Sequence, residues 1–87
     1  MNSELLKQTL EKLSLREMVV KVKMTQRKFV ARVISPEYEN QEDWERQQAV
    51  WSLLLGELTE DQCEMVAFVF TDTPEEYKKF RSEIESG

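Results

Sequence analysis

Met65-Val66-Ala67-Phe68-Val69-Phe70, followed at once by Thr71-Asp72-Thr73-Pro74-Glu75-Glu76, is the stretch whose reading decides the fold. Six apolar residues without a break read as a β-strand covered on most sides. The residues after it read as a helix start. Thr73 caps, Pro74 takes the first helical position where its missing N–H is not needed, and Glu76 closes a capping box. Tyr77, Phe80 and Ile84 then give that last helix an apolar stripe.

Upstream of the strand, Thr59-Glu60-Asp61-Gln62 has capping-box spacing and predicts a short extra turn. Before it, Asn40 is placed to cap a long helix, with Glu42 and Asp43 in the first turn where the dipole favours acids. Trp44, Trp51, Leu54, Leu55 and Leu58 lie along one broad stripe of that helix, which makes it the core helix. Gly56 marks either a close approach or the last turn.

Further upstream, Met18–Met24 alternates, with Val20, Val22 and Met24 on one face and Lys21 and Lys23 on the other. Phe29–Ile34 alternates too, with Phe29, Ala31 and Val33 opposite Arg32. The linker Thr25-Gln26-Arg27-Lys28 has no Gly, Asn or Asp, so the tight-turn signal is weak and a longer loop is allowed. Ser35-Pro36 ends the second strand. Near the start, Ser3 is placed to cap a helix through about Leu13, with Leu6, Leu10 and Leu13 on one stripe.

The order is α-β-β-α-(α)-β-α. Two adjacent strands pair as a hairpin, and a strand–helix–strand connection in one sheet makes the outer pair parallel through a right-handed crossover. The fold class is α+β, a three-stranded mixed sheet with helices packed on one face, and residues 1–87 are read as a single domain. Eighty-seven residues leave no room for two cores.

Composition narrows the function. The hydrophobic fraction of 40% with eight aromatics is globular. No apolar run reaches the roughly 20 residues of a membrane span, and Met1-Asn2-Ser3-Glu4 does not open a secretory signal. A lone Cys63 forms no internal disulfide and fits a reducing compartment, so the expectation is cytoplasmic. There is no histidine and there are only two glycines. The commonest general base and metal ligand is therefore missing, as is any glycine-rich phosphate cradle. The acids Glu37, Glu39, Glu42, Asp43 and Glu45 lack calcium-loop spacing. No enzyme activity, metal or cofactor is expected.

The net charge of −5 conceals a polarity along the chain. Residues 16–34 carry Arg16, Lys21, Lys23, Arg27, Lys28 and Arg32 against Glu17 alone, whereas residues 35–64 carry nine acids against Arg46. Such a chain orients partners electrostatically, although charge runs are more often solvated faces.

From Phe29-Val30-Ala31-Arg32-Val33-Ile34-Ser35 through Glu37-Tyr38-Glu39-Asn40, the sequence resembles the BolA family's second strand and the turn after it. Arg46, Val50 and Leu55-Gly56-Glu57-Leu58 fall where the family's long helix has its arginine, valine and small-residue end. Thr73-Pro74-Glu75-Glu76-Tyr77 is similar to the family's Thr-Pro-Glu-Glu-Trp box. The resemblance covers roughly residues 3–81. It implies a class-II KH-like fold and a part in iron–sulfur handling and stress response beside a monothiol glutaredoxin. It also implies two cluster ligands that this chain lacks: Met65 stands where the family has a histidine, and Thr25–Lys28 has neither Cys nor His. The region before Met65 looks about four residues longer than usual, and strand alternation would point Cys63 and Met65 to one side. Cys63 is read as a small semi-buried residue, with substitution as a ligand the alternative.

The resulting expectation is a protein-binding regulator, monomeric or weakly dimeric. Its contact surface would combine Arg27, Lys28, Cys63, Met65, Thr73 and Tyr77. The alternatives are a KH-like nucleic-acid binder using Lys21, Lys23, Arg27, Lys28 and Arg32, and a structural or oligomerising module. Nucleic acid is not the expected partner: the long helix is acidic and no Gly-x-x-Gly loop is present.

Overall fold

The computed structural model describes residues 1–86, with side chains through residue 81. Ile84, expected on the last apolar stripe, lies outside the described side chains. The elements are α1 (Ser3–Glu11), β1 (Val19–Thr25), β2 (Lys28–Ile34), a 3-10 helix (Pro36–Asn40), α2 (Asp43–Glu57), α3 (Glu60–Glu64), β3 (Val66–Asp72) and α4 (Pro74–Ser86). The sheet order is β1-β2-β3, antiparallel between the first two and parallel between the last two. The α+β order and mixed sheet are those expected, because each strand and helix carried its own period.

One face of the sheet holds the core. Val20, Phe29, Ala31, Val33, Val66 and Val69 meet Leu6 and Leu10 of α1 and Val50, Leu54 and Leu58 from α2 and its end. Burying each such side chain contributes about 1.5–3 kcal/mol. α1 and α2 share this face; α4 differs, since its Tyr77 and Phe80 lie beside Arg32 on the opposite face.

Several local expectations are corrected. The cap of α1 is Asn2, whose side chain accepts from the Leu5 amide, and the helix ends at Glu11. Asn40 closes the 3-10 helix instead of capping α2; Glu42 and Glu45 form that cap as a reciprocal box. The buried stripe of α2 is Arg46, Val50 and Leu54, while Trp44 and Leu55 are 66% and 68% exposed. Of the expected stripe, Leu54 and Leu58 are buried and Trp51 packs against the core, whereas Trp44 and Leu55 turn to solvent. Met24 is exposed near the tip of the hairpin, beyond the reach of the helices. Gly56 sits in the last turn with open space where a Cβ would stand.

The hairpin is tight after all. Only Gln26 and Arg27 lie between the strands, with φ of 48° and 68°, the sign pattern of a type I′ turn. Neither residue is one that favours this backbone, so sequence gave little warning. The caps at Thr59 and Thr73 form as their sequences predict.

Candidate partner-binding site

At the hairpin end, β2 and β3 begin side by side, and the chain before each closes on the other. The Lys28 ammonium donates to the Glu64 carbonyl at 2.6 Å, and the Phe29 amide donates to the Met65 carbonyl at 2.8 Å. Arg27, Lys28, Cys63 and Met65 thus come together around the turn and the α3–β3 junction. Met65 is the C-cap of α3 rather than a strand residue, and Cys63 lies inside α3, so strand alternation does not relate them. Both are half-buried and pack against the core. The Cys63 thiol is directed to the Leu54 carbonyl at 3.6 Å.

Thr73 and Tyr77 stand at the other end of β3, roughly 20 Å away along a seven-residue strand. Thr73 is buried as the cap of α4, its hydroxyl accepting from the Glu76 amide at 3.1 Å. The six contact candidates therefore divide into a group of four and a group of two.

The second end is organised by Arg46, a residue whose burial sequence reasoning missed. It is 5% exposed. Its guanidinium donates to the carbonyls of Gln41, Tyr38 and Thr71 and to the Glu76 carboxylate, the last at 2.9 Å. It lies 5.2 Å from the Tyr38 ring centroid. One side chain thus ties the 3-10 helix, β3 and α4 together. Glu76 is held below the usual carboxylate range, chiefly by the Thr73 backbone N–H and then by Arg46, against an opposing push from burial. Burial raises Tyr38 to about 12, opposed by Arg46, and its hydroxyl has no hydrogen-bond partner.

The basic residues are split as well. Lys21, Lys23 and Arg32 lie on the open sheet face, Arg27 at the turn. Arg32 pairs with Asp72 and sits 4.5 Å from the Phe70 centroid and 4.4 Å from that of Phe80. Phe68 and Phe70 also reach this face, 47% and 40% exposed with centroids 4.7 Å apart. The expectation of a strand covered on most sides fails here. A bulge at Ala67 sets the register in which Val30 pairs with Phe68, and α4 reaches this face only through Tyr77 and Phe80 beside Arg32, leaving both rings part-exposed. That irregularity has no signal in an unbroken apolar run.

The geometry invites comparison with known folds. No protein-family model matches the chain, and no curated protein matches it by sequence. Solved structures do. A BolA protein homologue from Coxiella burnetii is similar at a TM-score of 0.65 and 26% identity, over 90% of this chain and 97% of that one. A bol-like protein from Babesia bovis is similar at 0.57 and 17%, over 93% and 94%. The BolA domain of SufE1 from Arabidopsis thaliana is similar at 0.57 and 20%, over 85% and 93%. The class is an α+β fold with a hairpin and a parallel crossover. Within it, this chain shares the fold of the BolA-like solved structures.

The residues at the hairpin end do not fit an iron–sulfur cluster. A thioether stands at Met65, Lys28 is bound to a backbone carbonyl, and the only thiol turns inward to Leu54. Among the described residues, no three of His, Cys, Asp and Glu gather as metal ligands. None of the described helices is long and apolar enough to cross a membrane.

Proposed function

We propose that this chain is a non-catalytic, protein-binding regulator of the BolA type, working in a reducing compartment such as the cytoplasm. Its partner is a monothiol glutaredoxin, engaged without the usual cluster ligands from this side. The observation that supports the reading is the closure of the Arg27–Lys28 turn onto the Glu64–Met65 junction, at the place where the family resemblance puts the ligands. The likeness to a BolA domain of SufE1 supports a role exercised through other protein parts. Removing metal–ligand bonds leaves the surrounding surface, so apo-protein contact survives while cluster sharing does not.

The test is calorimetric titration of a monothiol glutaredoxin from the same organism, apo and cluster-loaded, into wild type and Met65→Lys. Because Met65 is half-buried, a lysine there reaches solvent along its stem, and stability falls by only about 1 kcal/mol. Wild type binds and Met65→Lys does not. Absence of binding by wild type to either form of the partner refutes the glutaredoxin assignment.

A further inference from the structure

The two edges of the sheet are finished differently. Along β3, Gln47 Nε2 donates to the Val69 carbonyl at 2.8 Å and Arg46 Nη1 to the Thr71 carbonyl at 3.0 Å, so that edge is closed by α2. Along β1, no hydrogen bond from another element reaches the outer backbone among the described residues. The two-residue turn makes Thr25 and Lys28 a hydrogen-bonded pair, so Val20, Val22 and Met24 direct their N–H and C=O groups outward. Beside this edge, on the open face, lies a cleft of about 470 Å³ whose lining includes Lys21, Lys23, Val30, Arg32, Phe70 and Tyr77. Its walls are largely apolar, the Arg32 guanidinium sits between the Phe70 and Phe80 rings, and the near rim is cationic. The Lys21 ammonium sits 5.4 Å from the Tyr77 ring centroid. Neither Lys21 nor Lys23 has a carboxylate partner among the described residues, whereas the charge of Arg32 is matched by Asp72.

We propose that the outer edge of β1 and this cleft dock an extended, acidic segment of a partner protein. The segment adds as a fourth strand, its carboxylates meeting Lys21 and Lys23 and an apolar side chain lying against Val30 and Tyr77. Main-chain hydrogen bonds supply affinity in such strand addition, and alternate side chains supply selectivity. Charge complementarity decides the occupant. A second copy paired edge to edge would set Lys21 and Lys23 against their own counterparts, which is destabilising. A single-stranded nucleic acid would bring a phosphate with every base to a site with two uncompensated cations, on a chain of net charge −5. A peptide with two carboxylates matches the rim. The inference rests on the protein-binding reading above but uses a different surface.

The experiment titrates ¹⁵N-labelled full chain with three probes: an acetylated octapeptide alternating Glu with Val and Phe, its Lys-for-Glu counterpart, and an oligothymidylate of similar length. The acidic peptide shifts the amides of residues 19–25, 70, 77 and 80 with a Kd of roughly 10–500 µM at about 0.1 M salt. The double variant Lys21→Glu/Lys23→Glu weakens it by about 10-fold or more, with the melting temperature unchanged within about 3 °C. Equal binding of the lysine peptide, tighter binding of the oligonucleotide, or no saturable shift overturns the proposal. So do shifts confined to Arg27, Lys28, Cys63 and Met65. Wild type is then titrated with the glutaredoxin. No peptide binding by wild type with glutaredoxin binding intact sinks this inference alone, and the reverse sinks only the glutaredoxin reading.

Discussion

The two ends of the β-sheet are built on opposite plans. Where β3 runs into α4, a buried guanidinium satisfies three backbone carbonyls and a carboxylate, and a capping box closes the helix over it. Where the hairpin turns, two residues hold left-handed backbone, and among the described residues the ties across to the α3–β3 junction are one lysine–carbonyl bond and one amide bond. The first end is over-determined and solvent-poor; the second is exposed and cationic. Stability concentrates in the first, whereas the second is exposed loop surface with few ties.

The comparison breaks most readily at Arg46. Arg46→Ala leaves the Tyr38, Gln41 and Thr71 carbonyls short of a donor and is expected to cost about 3–5 kcal/mol, enough to unfold much of a domain this small. Arg27→Ala at the other end should change stability by less than about 0.5 kcal/mol. Urea denaturation of both variants checks the contrast, and equal losses would show that the ends do not differ.

Acid and alkali sharpen it next. Tyr38 has a folded pKa of about 12 against 10 free, so its contribution is fully present below pH 10 and is lost as pH rises through 12. The shift corresponds to about 3 kcal/mol. Tyr38→Phe should abolish this alkaline loss, and should raise neutral-pH stability by about 1 kcal/mol because an unpartnered buried hydroxyl is removed. Glu76 works in the other direction. Its folded pKa is depressed, so its contribution is present above the ordinary carboxylate pKa and is lost as pH falls through the folded value. Melting curves across pH, with Glu76→Gln as control, read both limbs.

The smallest effect is expected at the turn. Replacing Gln26-Arg27 by Asn-Gly relieves left-handed backbone at two positions and should stabilise by about 1 kcal/mol. A loss of stability there would mean that the Gln26 and Arg27 side chains contribute more than their backbone costs.

Much of this architecture was legible because its signals are local. Thr59 and Thr73 cap where their boxes predicted, since a capping box satisfies its own orphan amides without help from elsewhere. Phe29, Ala31 and Val33 are buried together because a strand's period is two and one face must be covered. Of the contact candidates, Arg27, Lys28, Cys63 and Met65 gather while Thr73 and Tyr77 stand apart, because chain order does not reveal which end of a parallel strand faces which loop.

By itself the sequence determined the element order, the hairpin and crossover, and the chain's charge polarity. Each follows from periodicity, caps or composition. Only the tertiary structure decided that α2 buries Arg46 and exposes Trp44, since the arginine's acceptors come from Tyr38, Gln41 and Thr71, whose placement helical periodicity does not encode. It also decided that β3 shows Phe68 and Phe70 to the open face, through a bulge at Ala67, and that Tyr77 and Phe80 cross to that face from α4. Long-range pairing and the satisfaction of buried polar groups belong to the assembled molecule, and no window of neighbouring residues contains them.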